Sequence, residues 1–268
     1  MSARRTTLRA AWDFALVLFG FALLGIICVT WSVPAFVLYF VMPAAAGRRL
    51  GRRAAMFWFR LFLGSMEAIG ALRLDLRALD SLRGAGALIV APNHPCLLDA
   101  VLVISRLPDA VCVMKGALLD NFLLGPAARL ARYVRNDSLL RLASSAGGEL
   151  RGGGQLLLFP EGTRSTAQPI GPFTEAVGAI ARRAGVPVQA VIIEADPSFL
   201  GKGWTLGQVP VLPLTYRARL GRRLEPPTDV RAFTATLEQH FRRELAREAA
   251  AGEAVAAQPM AEPPRAHG

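Results

Sequence analysis

The N-terminal part of the chain contains an uncharged span that limits where this segment can lie. No Asp, Glu, Lys or Arg occurs between Asp13 and Arg48, and residues 14–31 are apolar almost throughout. A run of about 20 apolar residues is long enough to cross a bilayer as a helix. The sequence therefore predicts a helical membrane-anchoring segment, which we assign to residues 1–54.

Two arrangements of this segment fit its sequence. In the first, one helix crosses the membrane. In the second, a helix breaks at Pro34 and a short second helix, residues 35–42, returns to the same side. Arginines stand on both flanks, and positive charge on both sides disfavours moving either end across, so the hairpin with both flanks in the cytoplasm is favoured. A cleaved signal peptide fits less well, because the apolar region is too long and no clear cleavage site is present.

The next segment, residues 53–69, has the pattern of a helix. Large apolar residues such as Phe57, Trp58 and Phe62 stand among few charges. This pattern indicates either a helix at the membrane interface or a helix that packs in the core of the following domain.

The charge balance points to an anionic surface as a partner. The formal net charge is +11 at pH 7, and Lys115 and Lys202 are the only lysines. The basic residues flank apolar segments, and the chain has no zinc-finger spacing, RNP-type motif or basic helix that would grip a duplex. We therefore expect a membrane lipid as a partner and no nucleic acid.

The three cysteines, Cys28, Cys96 and Cys112, indicate a reducing compartment. An odd number without a pairing pattern argues against a disulfide framework. We expect the protein at the inner, cytoplasmic membrane, with the part of the chain after the apolar segment facing the cytoplasm.

From about residue 70 the sequence alternates between strand-like and helical patterns. Strands are predicted at residues 71–77, 87–91, 110–114, 133–134, 155–159, 186–194 and 214–220. Helices are predicted at residues 97–105, 121–132, 139–151, 173–184 and 228–251. This alternation predicts an α/β fold in which a mixed sheet is flanked by helices. We assign residues 55–251 to one catalytic domain and residues 252–268, rich in Ala, Pro and Glu, to a disordered tail.

A histidine and an aspartate follow the second predicted strand. The sequence from residue 91 reads APNHPCLLD, which places His94 at the strand end and Asp99 about one helical turn further on. Ligands of open α/β sheets bind at this edge. The Asp99 carboxylate can accept a hydrogen bond from one imidazole nitrogen, which leaves the other free as a general base for attack by a hydroxyl. The alternative is a structural histidine beside a helix-capping aspartate.

A second polar turn, PEGTRS at residues 160–165, follows a buried strand. Gly162 lets the backbone approach a ligand closely, and Thr163 offers a hydroxyl donor. Arg164 offers a planar donor fork suited to a phosphate. Pairing of Glu161 with Arg164 across the turn is the structural alternative, and both roles can coexist.

Together the two motifs resemble the Asn-His-x4-Asp and Phe-Pro-Glu-Gly-Thr-Arg blocks of the 1-acylglycerol-3-phosphate acyltransferase family, in the same order and at a similar separation. The resemblance covers about residues 55–220. It implies a glycerolipid acyltransferase-like fold, an acyl donor on coenzyme A or acyl carrier protein, a lysophosphatidate-like acceptor, and no metal or further cofactor. It implies His94 as the base and Asp99 as its partner. The substrate-binding residues that it implies are Asn93, Arg135, Glu161, Gly162, Thr163 and Arg164.

The chain departs from the family pattern at two places. Cys96 stands where the family often has Ser. In the middle block, no Gly precedes Tyr133 and Val134, Arg135 comes one place early, and Asn136 stands where the final Arg would fall. Because this block helps to bind the acceptor in the family, a different specialised lipid or a polyketide-like hydroxyl is the alternative acceptor.

Two other functional classes compete with a transferase. A serine hydrolase is disfavoured, because the chain has no Gly-x-Ser-x-Gly elbow. A metal enzyme is disfavoured by the small number and wide spacing of the histidines. An inactive lipid-binding protein is the remaining alternative, and the intact pair of His94 and Asp99 counts against it.

Overall fold

The computed structural model of the chain describes residues 7–165, 169–195 and 199–256. The helices among them are α1 (Thr7–Val41), α2 (Ala44–Ala68), α3 (Asp99–Ile104), α4 (Gly116–Leu119), α5 (Gly125–Leu130), α6 (Leu139–Arg151), α7 (Ala176–Ala184) and α8 (Val230–Ala256), with a 3-10 helix at Arg77–Leu82. The strands are β1 (Leu72–Asp75), β2 (Leu88–Pro92), β3 (Ala110–Met114), β4 (Val134–Arg135), β5 (Gln155–Leu157), β6 (Val188–Glu194) and β7 (Leu214–Leu224).

The seven strands form one mixed sheet in the order β1-β7-β6-β2-β5-β3-β4. The pair β6 and β7 is antiparallel, and the other pairs are parallel. The predicted mixed α/β sheet is therefore confirmed. Strand β3 has its predicted bounds, and the other predicted strands are present with one or both ends shifted. Parallel strands place their carboxyl ends at one edge, so the segments that follow β2 and β5 come together there.

Each face of the sheet carries its own core. Along β2, Leu88 and Val90 belong to the core beneath α1, α2 and α3, whereas Ile89 and Ala91 belong to the core beneath α6, α7 and α8. This alternation follows from the two-residue period of a strand. Because both faces are covered, β2 is buried at every position.

Pro34 does not break the N-terminal helix. The predicted break there, followed by a short helix at 35–42, is wrong, because α1 continues through Pro34 to Val41 and the chain turns only at residues 42 and 43. A proline within a helix removes one backbone hydrogen bond. Here Ala35 is fully buried, and the Ser32 hydroxyl donates to the Leu123 carbonyl, so contacts with the domain hold the helix on both sides of the proline.

Helix α2 joins the N-terminal segment to the sheet domain without interruption. The predicted boundary between residues 54 and 55 falls inside this helix. Its inner face packs in the core through Phe62 and Met66, and its outer face leaves Phe57 exposed. Core packing is thus confirmed for the inner face of the helix, and a membrane interface at the outer face stays a prediction.

A buried arginine also ties α2 to the domain. Arg52 Nη2 lies 2.5 Å from Glu149 Oε2, and Arg52 Nε donates to the Ala131 carbonyl at 3.1 Å. Gly51 packs beside this contact, and a Cβ added there would lie 2.6 Å from the Ala131 backbone nitrogen.

At the C-terminus, α8 is longer than predicted. Residues 252–256 of the predicted disordered tail continue the helix, and residues 257–268 lie outside the described residues. The start of α8, at Val230, is close to the predicted start.

We expect Gly51→Ala to lower the free energy of unfolding by about 1–3 kcal/mol, because the added methyl overpacks a backbone contact. Gly64→Ala is the matched control on the same helix, where a Cβ meets no described atom within 4 Å. That substitution should leave stability unchanged or raise it by up to about 1 kcal/mol, since alanine is the better helix former. Denaturant unfolding in detergent measures both variants, and equal stability would contradict the close approach.

Candidate active site

His94 and Asp99 form a hydrogen-bonded pair where β2 gives way to α3. His94 Nδ1 lies 2.8 Å from Asp99 Oδ2, and the Asp99 side chain is fully buried. Burial raises the pKa of the Asp99 carboxyl, whereas hydrogen bonds from His94 and Cys96 oppose that rise. The carboxylate thus fixes the orientation of the ring, and among the described residues the second ring nitrogen, Nε2, has no hydrogen-bond partner.

The His94 ring is also held by the second motif. It stacks on Phe159 with the ring centroids 3.9 Å apart and the planes 17° from parallel. Phe159 lies just after β5, the neighbour of β2 in the sheet. The side chain of His94 remains 16% exposed, so its free nitrogen can meet a substrate. The two motifs therefore meet at this edge of the sheet.

Glu161 binds protein groups instead of facing the cavity. Its Oε1 accepts hydrogen bonds from the His94 backbone N–H at 3.1 Å and from the Ser165 hydroxyl at 2.8 Å. Its Oε2 accepts from the Gly171 N–H at 2.8 Å. The anticipated pairing with Arg164 is not formed. This geometry corrects the expectation of direct substrate contact, because both carboxylate oxygens are occupied in holding the turn that carries His94.

Asn93 is likewise occupied by the backbone of a neighbouring strand. Its side-chain amide donates to the Ile193 carbonyl at 2.9 Å, and its carbonyl oxygen accepts from the Ile193 N–H at 2.7 Å. The residue is buried and does not line the cavity described below. The structure therefore assigns Asn93 to fixing the end of β2 against β6, which sets the starting point of the His94 turn.

Arg164 lies at the cavity and holds a loop there. Its Nη1 donates to the carbonyls of Leu200 at 3.0 Å and Gly201 at 2.9 Å. Gly162 has φ +67°, a conformation that favours glycine, and the predicted substrate-binding residues Gly162 and Thr163 line the same cavity. Leu200 also has a positive φ, +57°, so the Arg164 and Leu97 N–H contacts to its carbonyl stabilise an uncommon backbone conformation.

Arg135, like Asn93 and Glu161, is a predicted substrate-binding residue that does not line the cavity. It is exposed, and its guanidinium pairs with Asp120 at 2.5 and 2.9 Å and with Asp137. Its neighbour Asn136 lines the cavity instead. The physical reason is local charge: hydrogen bonds from Arg135 lower the pKa of the Asp120 carboxyl, and two carboxylates hold the guanidinium at the surface.

The cavity at this site has a volume of about 580 Å³ and is mostly apolar. Its apolar lining comes from the N-terminal helices as well as the sheet, and includes Leu16, Val17, Phe21, Phe59, Phe62 and Tyr133. The basic side chains that line it are His94, Lys115, Arg164 and Lys202. Lys115 and Lys202 were not among the predicted site residues. The sequence signal that could have identified them is that they are the only two lysines of an arginine-rich chain. The structure places both at this cavity.

Comparison with known proteins agrees with this geometry. A family model described as Acyltransferase matches residues 73–194. A 1-acyl-sn-glycerol-3-phosphate acyltransferase of Pseudomonas aeruginosa is 25% identical over 172 residues, which are 62% of this chain and 66% of the relative. The human 1-acyl-sn-glycerol-3-phosphate acyltransferase beta is 27% identical over 179 residues, 62% of each chain. The match thus spans a little under two thirds of these relatives.

A solved structure shares the fold. The crystal structure of the 1-acyl-sn-glycerophosphate (LPA) acyltransferase PlsC from Thermotoga maritima superposes with a TM-score of 0.63 at 18% identity, covering 89% of this chain and 98% of that one. The fold and the matched region define an acyltransferase domain. In sequence, the chain is similar to 1-acyl-sn-glycerol-3-phosphate acyltransferases.

Proposed function

We propose that this protein is a membrane-bound O-acyltransferase that moves a fatty acyl group from a thioester carrier to the hydroxyl of a lysophosphatidate-like lipid. The observation that carries the proposal is the pair of His94 and Asp99 at the wall of a largely apolar cavity. The pair supplies a base with one free nitrogen. The cavity supplies space for a hydrocarbon chain beside that base, within the usual ligand-pocket range of about 300–1,000 Å³.

The reaction then follows from the geometry. His94 Nε2 removes the proton of the acceptor hydroxyl as its oxygen attacks the thioester carbonyl carbon, and the carbon–oxygen bond forms. The carbon–sulfur bond breaks, and the leaving thiolate takes the proton from the imidazolium. Asp99 stabilises that imidazolium and keeps the ring in place. Coenzyme A and acyl carrier protein both present such a thioester, and either fits this scheme as the co-substrate.

We propose that α1 and α2 attach the enzyme to the cytoplasmic face of the inner membrane. Among the described residues, α1 is the helix long and apolar enough to cross a membrane. Many of its large apolar side chains are exposed, including Trp12, Phe19, Phe36 and Phe40. Other α1 residues line the cavity, so the acyl chain of a membrane lipid has a short path to the site.

The double variant Phe36→Glu/Phe40→Glu should bind vesicles at least about tenfold more weakly, because it replaces two exposed phenyl groups with charges. The matched control adds two carboxylates on the exposed side of α8, as Ala235→Glu/Gln239→Glu, and should bind like the wild type. Co-sedimentation with vesicles containing anionic lipid measures both. Equal binding of the two double variants would contradict attachment through α1.

The proposed acceptor carries a phosphate because three cationic side chains converge on the cavity. Arg164, Lys115 and Lys202 line it together with His94, and the Arg164 Nη1 contacts leave the rest of its fork available to an anion. The position of Arg135 favours the alternative of a phosphate-free specialised lipid or polyketide-like hydroxyl. This arginine, from the block that binds the acceptor in the family, is ion-paired at the surface.

Whether the acceptor carries a phosphate can be tested with Arg164→Ala. Its kcat/KM is compared with that of the wild type on one phosphorylated and one unphosphorylated acceptor. If Arg164 binds phosphate, kcat/KM should fall about 10- to 100-fold more on the phosphorylated acceptor, since one charge-assisted contact is worth about 1.5–3 kcal/mol. If the substitution also disturbs the 199–201 loop, kcat/KM should fall equally on both acceptors. That effect therefore cancels when the two losses are compared. Arg141→Ala, an exposed arginine on α6, is the control.

Equal losses on both acceptors would refute phosphate recognition and support the specialised-lipid alternative. The wild type in the same assay separates the functional classes. A new acylated lipid supports a transferase, free fatty acid indicates a hydrolase, and no product with either acceptor indicates a lipid-binding protein.

A further inference from the structure

The Asp99 carboxylate is bound by two groups of Cys96 in addition to His94. The Cys96 backbone N–H donates to Asp99 Oδ2 at 2.8 Å, the same oxygen that lies 2.8 Å from His94 Nδ1. The Cys96 thiol donates to the other oxygen, Oδ1, at 3.0 Å. Both Cys96 and Asp99 are fully buried, so water is kept from this carboxylate and protein donors must stabilise it.

We propose that the Cys96 thiol is a positioning group that keeps Asp99 ionised and correctly oriented toward His94. The inference rests on the proposed function and adds a residue to its machinery. The thiol does not touch substrate and does not react. It acts through Asp99, because a donor on Oδ1 fixes the rotation of the carboxyl group and leaves Oδ2 facing the imidazole.

The surroundings of Cys96 support a thiol that remains protonated and therefore donates. Burial is the largest cause that raises the pKa of this thiol well above its usual range, and the neighbouring Asp99 charge adds to the rise. Tyr216, a fully buried residue of β7, partly opposes this rise in the pKa of Cys96. Hydrogen bonds thus connect Cys96 through Asp99 to His94.

The sign of the expected effect follows from the charge on the pair. In the active form Asp99 is ionised and His94 is neutral. Removing a donor from the carboxylate raises the affinity of the pair for a proton, so the acid limb of the activity profile should move to higher pH. A role in packing alone would change stability without moving that limb.

The test compares Cys96→Ala with Cys96→Ser in the full-length protein. Cys96→Ala removes the donor, so kcat should fall about tenfold and the acid limb of the kcat/KM profile should rise by about one pH unit. Cys96→Ser keeps a hydroxyl donor at the same place and should restore both quantities to near wild type. Val103→Ala, a buried α3 residue outside the cavity, controls for lost packing and should not move the acid limb.

A second readout does not depend on activity. In the folded protein with labelled histidine, an NMR titration follows the apparent pKa of the pair formed by His94 and Asp99, which should be higher in Cys96→Ala than in wild type or Cys96→Ser. An unchanged apparent pKa in folded Cys96→Ala would overturn the positioning role, whatever the enzyme does. If the apparent pKa is raised in Cys96→Ala but the wild type transfers no acyl group, the positioning role stands and the proposed function is refuted.

Discussion

The buried carboxylate of Asp99 is the constraint on which the site depends. A carboxylate without access to water is tolerated only when hydrogen bonds replace its hydration. Here the donors come from His94 and Cys96, which lie within five residues before it. The chain must therefore turn tightly between β2 and α3, and that turn brings the imidazole to the cavity in one orientation.

Three contacts from other parts of the chain stabilise the turn between β2 and α3. Asn93 fixes its start to the backbone of β6, Glu161 accepts the His94 N–H, and Phe159 stacks on the ring. Two of these residues belong to the second motif. Glu161 and Phe159 of that motif thus position His94, while Gly162, Thr163 and Arg164 line the cavity.

The N-terminal helices are part of the site as well as the proposed attachment to the membrane. Side chains of α1 and α2 form one wall of the cavity, and Arg52 and Gly51 bind α2 to the domain. A helix that only anchored the protein would need no such contacts. Displacing α1 would therefore open the space proposed for the acyl chain.

Much of the fold could be predicted because local patterns determine it. The central strands are short and apolar on both faces, and α6 has a clear helical period that matches its predicted bounds. The pairing of His94 with Asp99 was predicted from their spacing together with the strand-end position and the second motif. Longer-range contacts could not be predicted this way. Pro34 remains inside a helix because distant residues pack beside it, and Arg135 is held outside the cavity partly by Asp120, fifteen residues away in sequence.

His94, whose backbone N–H donates to Glu161, is farther away still, at 67 residues in sequence. Ile193 is one hundred residues from Asn93, so nothing near that asparagine in sequence shows that its amide is occupied. The two lysines of the cavity, Lys115 and Lys202, also lie far apart in sequence, so nothing local shows that they meet at one site. Sequence patterns thus located the candidate site, and the tertiary contacts decided which of the motif residues line the cavity.

The most direct test of the account is the rate of acyl transfer by purified His94→Ala in membranes, measured against wild type with an acyl thioester and a lysophosphatidate acceptor. If His94 is the general base, the rate should fall by about 10²–10⁴-fold while the variant stays folded and membrane-associated. Near wild-type transfer by folded His94→Ala would contradict the mechanism.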